Sequence, residues 1–202
     1  MKRLVVGVSG ASGAILALHL IEQINLLIDL VITPEALYTA RYEIAPDITT
    51  GKKFISHLTL EAQKRVTIHP HRDIGASIAS GSHETIGMVI LPCSLATVAA
   101  IAAGLGDNCL RRAADVTIKE KRPLILVPRE SPLSEIHLEN LLKLARCGAT
   151  IVPPVPAWYT QPQTVRDMEM FIVGKVLDAL KLPHDLYPRW KKVSDDGADD
   201  HA

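Results

Sequence analysis

The sequence predicts an α/β protein: a doubly wound, mainly parallel sheet in a single domain. Three observations carry this expectation. Short apolar runs recur along the 202 residues: LVVGV at 4–8, LVIT at 30–33, MVIL at 88–91, LILV at 124–127 and TIVP at 150–153. Runs of this length without polar alternation belong to strands buried on both faces. Helical patterns lie between them, and strand–helix alternation builds a parallel sheet. Finally, no composition shift or internal repeat divides the chain, which is long enough for one well-cored domain.

Taken in order, the first strand empties into GVSGASGA at 7–14, and a helical apolar face follows from Ala14 to Ile24. The second strand is 30–33. Residues 44–75 carry Pro, Gly and mixed charge; they fit the alternation least and read as an excursion with one short helix. The third strand stops at Pro92, ahead of an Ala- and Leu-rich helix from Leu95 to Ala103. RRAADVTIKEKRP reads as a solvated helix before 124–127. Ser134 then sits at an N-cap, Leu138, Leu141, Leu142 and Ala145 share a face, and Gly148 stands where a C-cap belongs. Thr164 and Asp167 have capping-box spacing at the start of a last helix that runs to about Leu180. The domain is expected over 1–182. The tail, 183–202, carries aromatic anchors to about Trp190 and ends in SDDGADDHA, a polar, acidic stretch expected to be disordered.

Composition excludes several functions. Lys plus Arg and Asp plus Glu number 22 each, so no net field favours nucleic acid or an anionic membrane. No apolar run approaches the ~20 residues of a membrane span. The N-terminus lacks the pattern of a secretory signal. Cys93, Cys109 and Cys147 form no metal-type pair and cannot all pair internally, which points to the cytoplasm. HPH at 69–71 has no carboxylate or Cys companion and reads as an exposed loop, not a metal site.

Ligands of open α/β sheets bind beyond the carboxyl ends of the strands, where four loops fall here. SGASG at 9–13 misses the GxGxxG spacing and lacks a P-loop Lys, which leaves a helix N-terminus with backbone N–H groups and two Ser hydroxyls, suited to an anion or to a plain tight turn. LPCSLAT at 91–97 offers hydroxyls at a helix start. Its Cys93 has no His in a partner motif and reads as a wall residue. VPRESPL at 127–133 delivers Arg129 and Glu130 directly from a buried strand, as ligand contacts or as an ion pair. PPVPAWY at 153–159 is stiffened by prolines and presents Trp158 and Tyr159, to a flat ligand or to the core.

Together, SGASGA, ASGS at 79–82, PCSLAT, RRAADVTIKEKRP, PRESPLSEIHLENL and PPVPAWY, in this order over about residues 1–190, resemble the flavin prenyltransferase family. That family includes the small flavin-binding subunits associated with hydroxyarylic acid decarboxylases. The resemblance implies a Rossmann-like flavoprotein fold, a homododecamer with sites between protomers, and transfer of a dimethylallyl group from dimethylallyl monophosphate to N5 and C6 of reduced FMN. The product, prenylated FMN, serves a partner decarboxylase. It further implies that Gly10, Ala11, Ser12, Thr33, Ser94, Leu95, Ala96, Thr97 and Arg129 bind FMN. Ser9, Glu43, Lys119 and Glu130 are the implied catalytic residues, and Arg112, Tyr159, Lys175 and Trp190 the implied substrate-binding ones, Trp190 in a closing tail. Three positions depart from the family pattern: Thr33 replaces a Ser, Ala96 a common Lys, and Lys175 an Arg.

The residue types suit this chemistry. Ionising an allylic phosphate places charge on the departing group, which fixed cations and hydroxyls stabilise without a metal. Lys119, Ser9, Tyr159 and Lys175 are of that kind, and Glu130 can hold or relay a proton. The Ala96 and Lys175 departures motivate an alternative: a non-catalytic subunit binding FMN or prenylated FMN for an aromatic acid decarboxylase. A flavin-dependent cysteine decarboxylase is a third reading, although no segment resembles the catalytic His motif of that family.

Overall fold

β1 (Arg3–Val8) is buried along nearly its whole length and sits at the middle of the sheet. The computed structural model describes residues 1–190; residues 191–202, for which disorder is expected, lie outside them. The chain divides into two compact units, Met1–Pro154 and Val155–Ala202.

In the first unit, β1 is followed by α1 (Ile15–Gln23), β2 (Leu27–Ile32), α2 (Pro34–Glu43), α3 (Gly51–Ile55), α4 (Leu60–Lys64) and β3 (Val66–His69). The second half runs β4 (Met88–Cys93), α5 (Leu95–Ala102), α6 (Cys109–Lys119), β5 (Leu124–Pro128), α7 (Glu135–Arg146) and β6 (Thr150–Ile151). The six strands form one parallel sheet in the order β3-β2-β1-β4-β5-β6. The order grows outward from β1 in one direction, then from β4 in the other, which is the expected doubly wound topology. Alternate strand residues supply each face. Val5, Val31, Met88, Ile90, Leu124 and Leu126 pack in one core with Val98 and Ile101 of α5, Leu110 of α6 and Leu141 and Leu144 of α7.

Capping residues end the helices where the sequence places them. The Ser94 hydroxyl accepts from Thr97 N, Ser134 forms a capping box with His137, and Gly148 follows α7 at φ +91°. Two segments differ from expectation. β2 starts earlier, at Leu27, and Thr33 has left the strand to cap α2 by accepting from Ala36 N at 3.2 Å. The excursion at 44–75 holds two short helices and an edge strand. Thr50 and Thr59 cap the helices, while fully buried Ile48 and Phe54 anchor the segment. β3 escapes the apolar-run criterion because an edge strand pairs with one neighbour and stays half exposed.

Asp29 breaks the apolar run of β2 and is 1% exposed. It survives burial because Arg3, His69 and His83 all bind its carboxylate, the two histidines at 2.9 and 3.0 Å. Burial pushes its pKa up, but the histidine hydrogen bonds and the Arg3 charge outweigh that and hold it at about 2. HPH is therefore not an exposed loop: His69 is committed to Asp29 and His71 is half-buried.

Among its described residues the second unit contains a 3-10 turn at Trp158–Thr160 and α8 (Val165–Ala179), capped by the expected Thr164–Asp167 box. The tail returns along α8, where Tyr187 is buried and its ring lies 4.6 Å from that of Phe171.

Candidate functional site

The sheet reverses its winding between β1 and β4, and the loops leaving these strands are tied together by one side chain. Ser9 is 1% exposed. Its hydroxyl donates to Pro92 O at 3.2 Å and accepts from Ser94 N at 2.8 Å, while its own N–H donates to Pro92 O. Thr33 N donates to Val8 O and Arg129 N to Cys93 O, so the loops after β1, β2, β4 and β5 form one connected edge. The expected Ser9, Thr33, Ser94 and Arg129 are thus brought together.

Beside this junction lies a cavity of about 430 Å³ lined by Gly10, Thr33, Ser94, Ala96 and Thr97, all expected flavin contacts. Gly10 is required by space alone: a Cβ there would stand 2.4 Å from Glu35 Cβ. Ser94 caps α5, its hydroxyl accepting from Thr97 N at 3.2 Å and donating to the Thr97 hydroxyl at 3.0 Å, so one first-turn N–H of α5 is taken by the cap.

The cavity has further walls that sequence reasoning missed: Glu35, His71, Asn108, Leu110 and Arg111. Asn108 caps α6 through Arg111 N at 3.0 Å. One Arg111 nitrogen, Nη1, is shared by both Asp107 oxygens at 2.9 Å. Hydrogen bonds from the Glu35 N–H and the Thr33 hydroxyl hold the Glu35 carboxyl below its usual range. Burial lowers the His71 pKa, and its Nδ1 has no hydrogen-bond partner among the described residues. Asn-Cys-Leu at a helix start was the available signal for Asn108. The Arg111–Arg112 doublet reads as a solvated face until the topology turns one member inward.

The remaining expected residues distribute as follows. Glu43, the last residue of α2, accepts from Gly13 N at 2.9 Å and Ala14 N at 3.3 Å. It therefore caps α1, whose N-cap residue Ala14 has no side-chain acceptor, and the Gly13 N–H, expected to be open in SGASG, is taken. Ala11 N closes a tight turn onto Ser9 O at 2.7 Å, with Ser12 half-buried beside it. Leu95 is buried at the start of α5. Glu130 is exposed and accepts only from Ser131 N, and the Arg129 guanidinium makes no hydrogen bond or ion pair among the described residues. Arg112 pairs with Asp115 at 2.6 Å near the start of α6. Lys119 ends that helix, about 16 Å along its axis from the Asn108 cap, and pairs with Glu120 at 3.6 Å. Within one chain, then, Lys119 stands apart from the cavity. Cys93 is fully buried, which pushes its thiol up to about 12 and suits a wall residue, not a nucleophile.

In the second unit the Tyr159 ring lies 5.0 Å from Trp190 and 6.1 Å from Phe171, both edge to face. Lys175 Nζ lies 3.4 Å from Asp178 Oδ2. Burial raises the Asp178 pKa, but hydrogen bonds from Tyr187, Arg189, His184 and Lys175 overcome it and hold the carboxyl far below the usual range.

Known proteins share this architecture. The flavoprotein family model matches residues 1–177. A flavin prenyltransferase UbiX of Chlamydia trachomatis is 51% identical over 194 residues, covering 95% of this chain and 98% of the relative. The solved structure of AnUbiX (PadA1) with FMN and dimethylallyl pyrophosphate superposes with a TM-score of 0.85 at 38% identity, over 94% of this chain and 97% of that one. A dodecameric FMN-dependent UbiX-like decarboxylase from Escherichia coli O157:H7 gives 0.84 at 41%, over 94% of this chain and all of the other. Among the described residues, no helix is long and apolar enough to cross a membrane. With the family model spanning most of its length and a relative matching half of its positions, this chain belongs to the flavoprotein family and, within it, to the flavin prenyltransferases.

Proposed function

We propose that the protein transfers a dimethylallyl group from dimethylallyl monophosphate to reduced FMN and delivers prenylated FMN to a partner decarboxylase. The observation that carries this reading is the cavity at the β1/β4 reversal, where Gly10, Thr33, Ser94, Ala96 and Thr97 meet at the start of α5. The fit to FMN is chemical: hydroxyls and helix N–H groups suit the phosphate and ribityl oxygens, and Arg111 supplies a charge. Reduced FMN supplies the nucleophilic N5 and C6 positions.

The chain's own groups do the rest. Ser9 holds the β1 and β4 loops in register, its one O–H donated to Pro92 O and one acceptor lone pair left at the reacting edge. Arg129, whose guanidinium has no partner among the described residues, carries its charge toward the cofactor. Tyr159 and Lys175 bind the prenyl phosphate, and Trp190 shields the allyl group from water. Stabilising the departing phosphate with fixed donors lowers the barrier because charge develops on it as the C–O bond breaks. Glu130, exposed and lightly bonded, protonates the departing phosphate or accepts the proton released on ring closure. Glu43 fixes the start of α1 behind the cofactor loop. Lys119 and Arg112 reach a site on a neighbouring copy, consistent with Lys119 lying one helix length from its own cavity; this requires an oligomer, and a dodecamer like that of the Escherichia coli relative would supply it. Residues 1–182 serve as the flavin domain and 183–190 as the docking tail, in the cytoplasm.

Incubating the protein with reduced FMN and dimethylallyl monophosphate is expected to yield a flavin heavier by one prenyl unit on mass spectrometry. Recovery of unmodified FMN alone, from folded and flavin-loaded protein, overturns the reading in favour of a carrier. Lys175→Arg is expected to change the KM for the monophosphate while leaving the FMN Kd unchanged, because an ammonium and a guanidinium meet phosphate differently.

A further inference from the structure

α8 carries a glycine in its interior, a residue that weakens helices, and the tail explains its presence. A Cβ on Gly174 would stand 2.5 Å from Tyr187 Cε1 and 2.9 Å from His184 Cε1, so the two tail rings rest directly on the helix backbone. One turn later Asp178 gathers the tail. His184 Nε2 lies 3.0 Å from Oδ1, while the Tyr187 hydroxyl and Arg189 Nη1, at 2.9 Å, bind Oδ2. Lys175 Nζ approaches the same Oδ2 at 3.4 Å. The Arg189 guanidinium also lies over the Tyr187 ring, 4.9 Å from its centre. Phe171, Gly174, Lys175 and Asp178 share one face of α8 by their spacing.

A carboxylate offers about four acceptor positions; here one donor meets Oδ1 and three converge on Oδ2. Three of these donors come from the tail and one from the helix. With the tail down, Lys175 and Arg189 share a single anion, so the cluster holds a surplus positive charge. With the tail lifted, Asp178 neutralises Lys175 alone and the surplus disappears. Lys175 is a point charge on a flexible stem and lacks the directed fork of an Arg, so a neighbour has to aim it.

We propose that Asp178 is a positioning residue for prenyl transfer: it clasps tail residues 184–190 to α8 and in the same arrangement holds the Lys175 ammonium for the donor phosphate. Tail docking and phosphate binding are then a single event. This rests on the reading of Lys175 and Trp190 given above.

Two variants test it by different physics. Asp178→Asn removes the charge and keeps the shape, and Gly174→Ala lifts the tail rings sterically; circular dichroism checks that each remains folded. Both are expected to speed tryptic cleavage after Arg189 at least tenfold. Both should raise the KM for dimethylallyl monophosphate at least tenfold, with the FMN Kd within twofold of the parent. The double variant is expected to be no worse than the poorer single one, since both act on one event. Parental cleavage rates in folded Asp178→Asn protein overturn the proposal, as does a released tail with an unchanged donor KM. If the parent protein makes no prenylated flavin, the reading of function fails. The cleavage result still decides whether Asp178 clasps the tail.

Discussion

Gly10→Ala probes the contact on which the cofactor cavity is built. The new Cβ would lie 2.4 Å from Glu35 Cβ and 3.3 Å from the Glu35 carbonyl carbon. Carbon atoms rest at about 3.5–4.0 Å, so the overlap is about 1.1–1.6 Å. No rotamer change relieves it, because the Cβ of Glu35 is fixed to the backbone. Either the β1 loop or the first turn of α2 must move, and Thr33, which lines the cavity, precedes that turn. Overpacking of this kind costs about 1–3 kcal/mol, or about 2–12 °C in Tm for a chain of this size. An FMN Kd weakened about tenfold, the equivalent of 1.4 kcal/mol, is expected as the cavity shifts. Thermal unfolding and flavin fluorescence titration measure the two effects. Adding Glu35→Gly removes the obstructing Cβ and is expected to recover at least half of the lost stability. A Gly10→Ala protein with parental Tm and Kd, or a double variant no better than the sum of the two, would refute the packing argument.

Other predictions are independent of the cavity. Asp29 is held at about 2 against an ordinary 3.8, so its ionised form stabilises the fold above pH ~4, and that contribution is lost as the pH falls through ~2. The shift corresponds to about 2 kcal/mol. Urea unfolding at pH 6 and pH 2.5 is expected to show this loss in the parent and not in Asp29→Asn; an equal loss in both would contradict it. Cysteine labelling of the native protein with iodoacetamide at pH 8 is expected to modify exposed Cys147 alone. Cys93 and Cys109 are buried, with thiols pushed up to about 12 and 11, and should react only after unfolding. Comparable labelling of Cys93 in folded protein would contradict its burial and reopen a nucleophilic role.

Central strands and helix caps were legible in the chain because each is a local pattern. A strand covered on both faces needs an unbroken apolar run, and the Ser94, Ser134 and Thr164 hydroxyls each accept from the N–H three residues ahead. β3 was not legible, since an edge strand has one neighbour and need not be apolar. Asp29, in the middle of β2, is explained only by Arg3, His69 and His83, which are brought to it from distant parts of the chain.

The candidate site divides along the same line. SGASG, PCSLAT and VPRES were readable because the carboxyl ends of parallel strands share one edge of the sheet. Glu43 capping α1, Arg111 turning toward the cavity and Lys119 standing one helix length away depend on how whole helices are placed. By itself the sequence determined the strand–helix alternation, the caps and the loops at the sheet edge, since short-range hydrogen bonding and burial specify them. Tertiary structure alone decided which carboxylate meets which N–H group or cation, because charges and helix termini pair through space without regard to their distance along the chain.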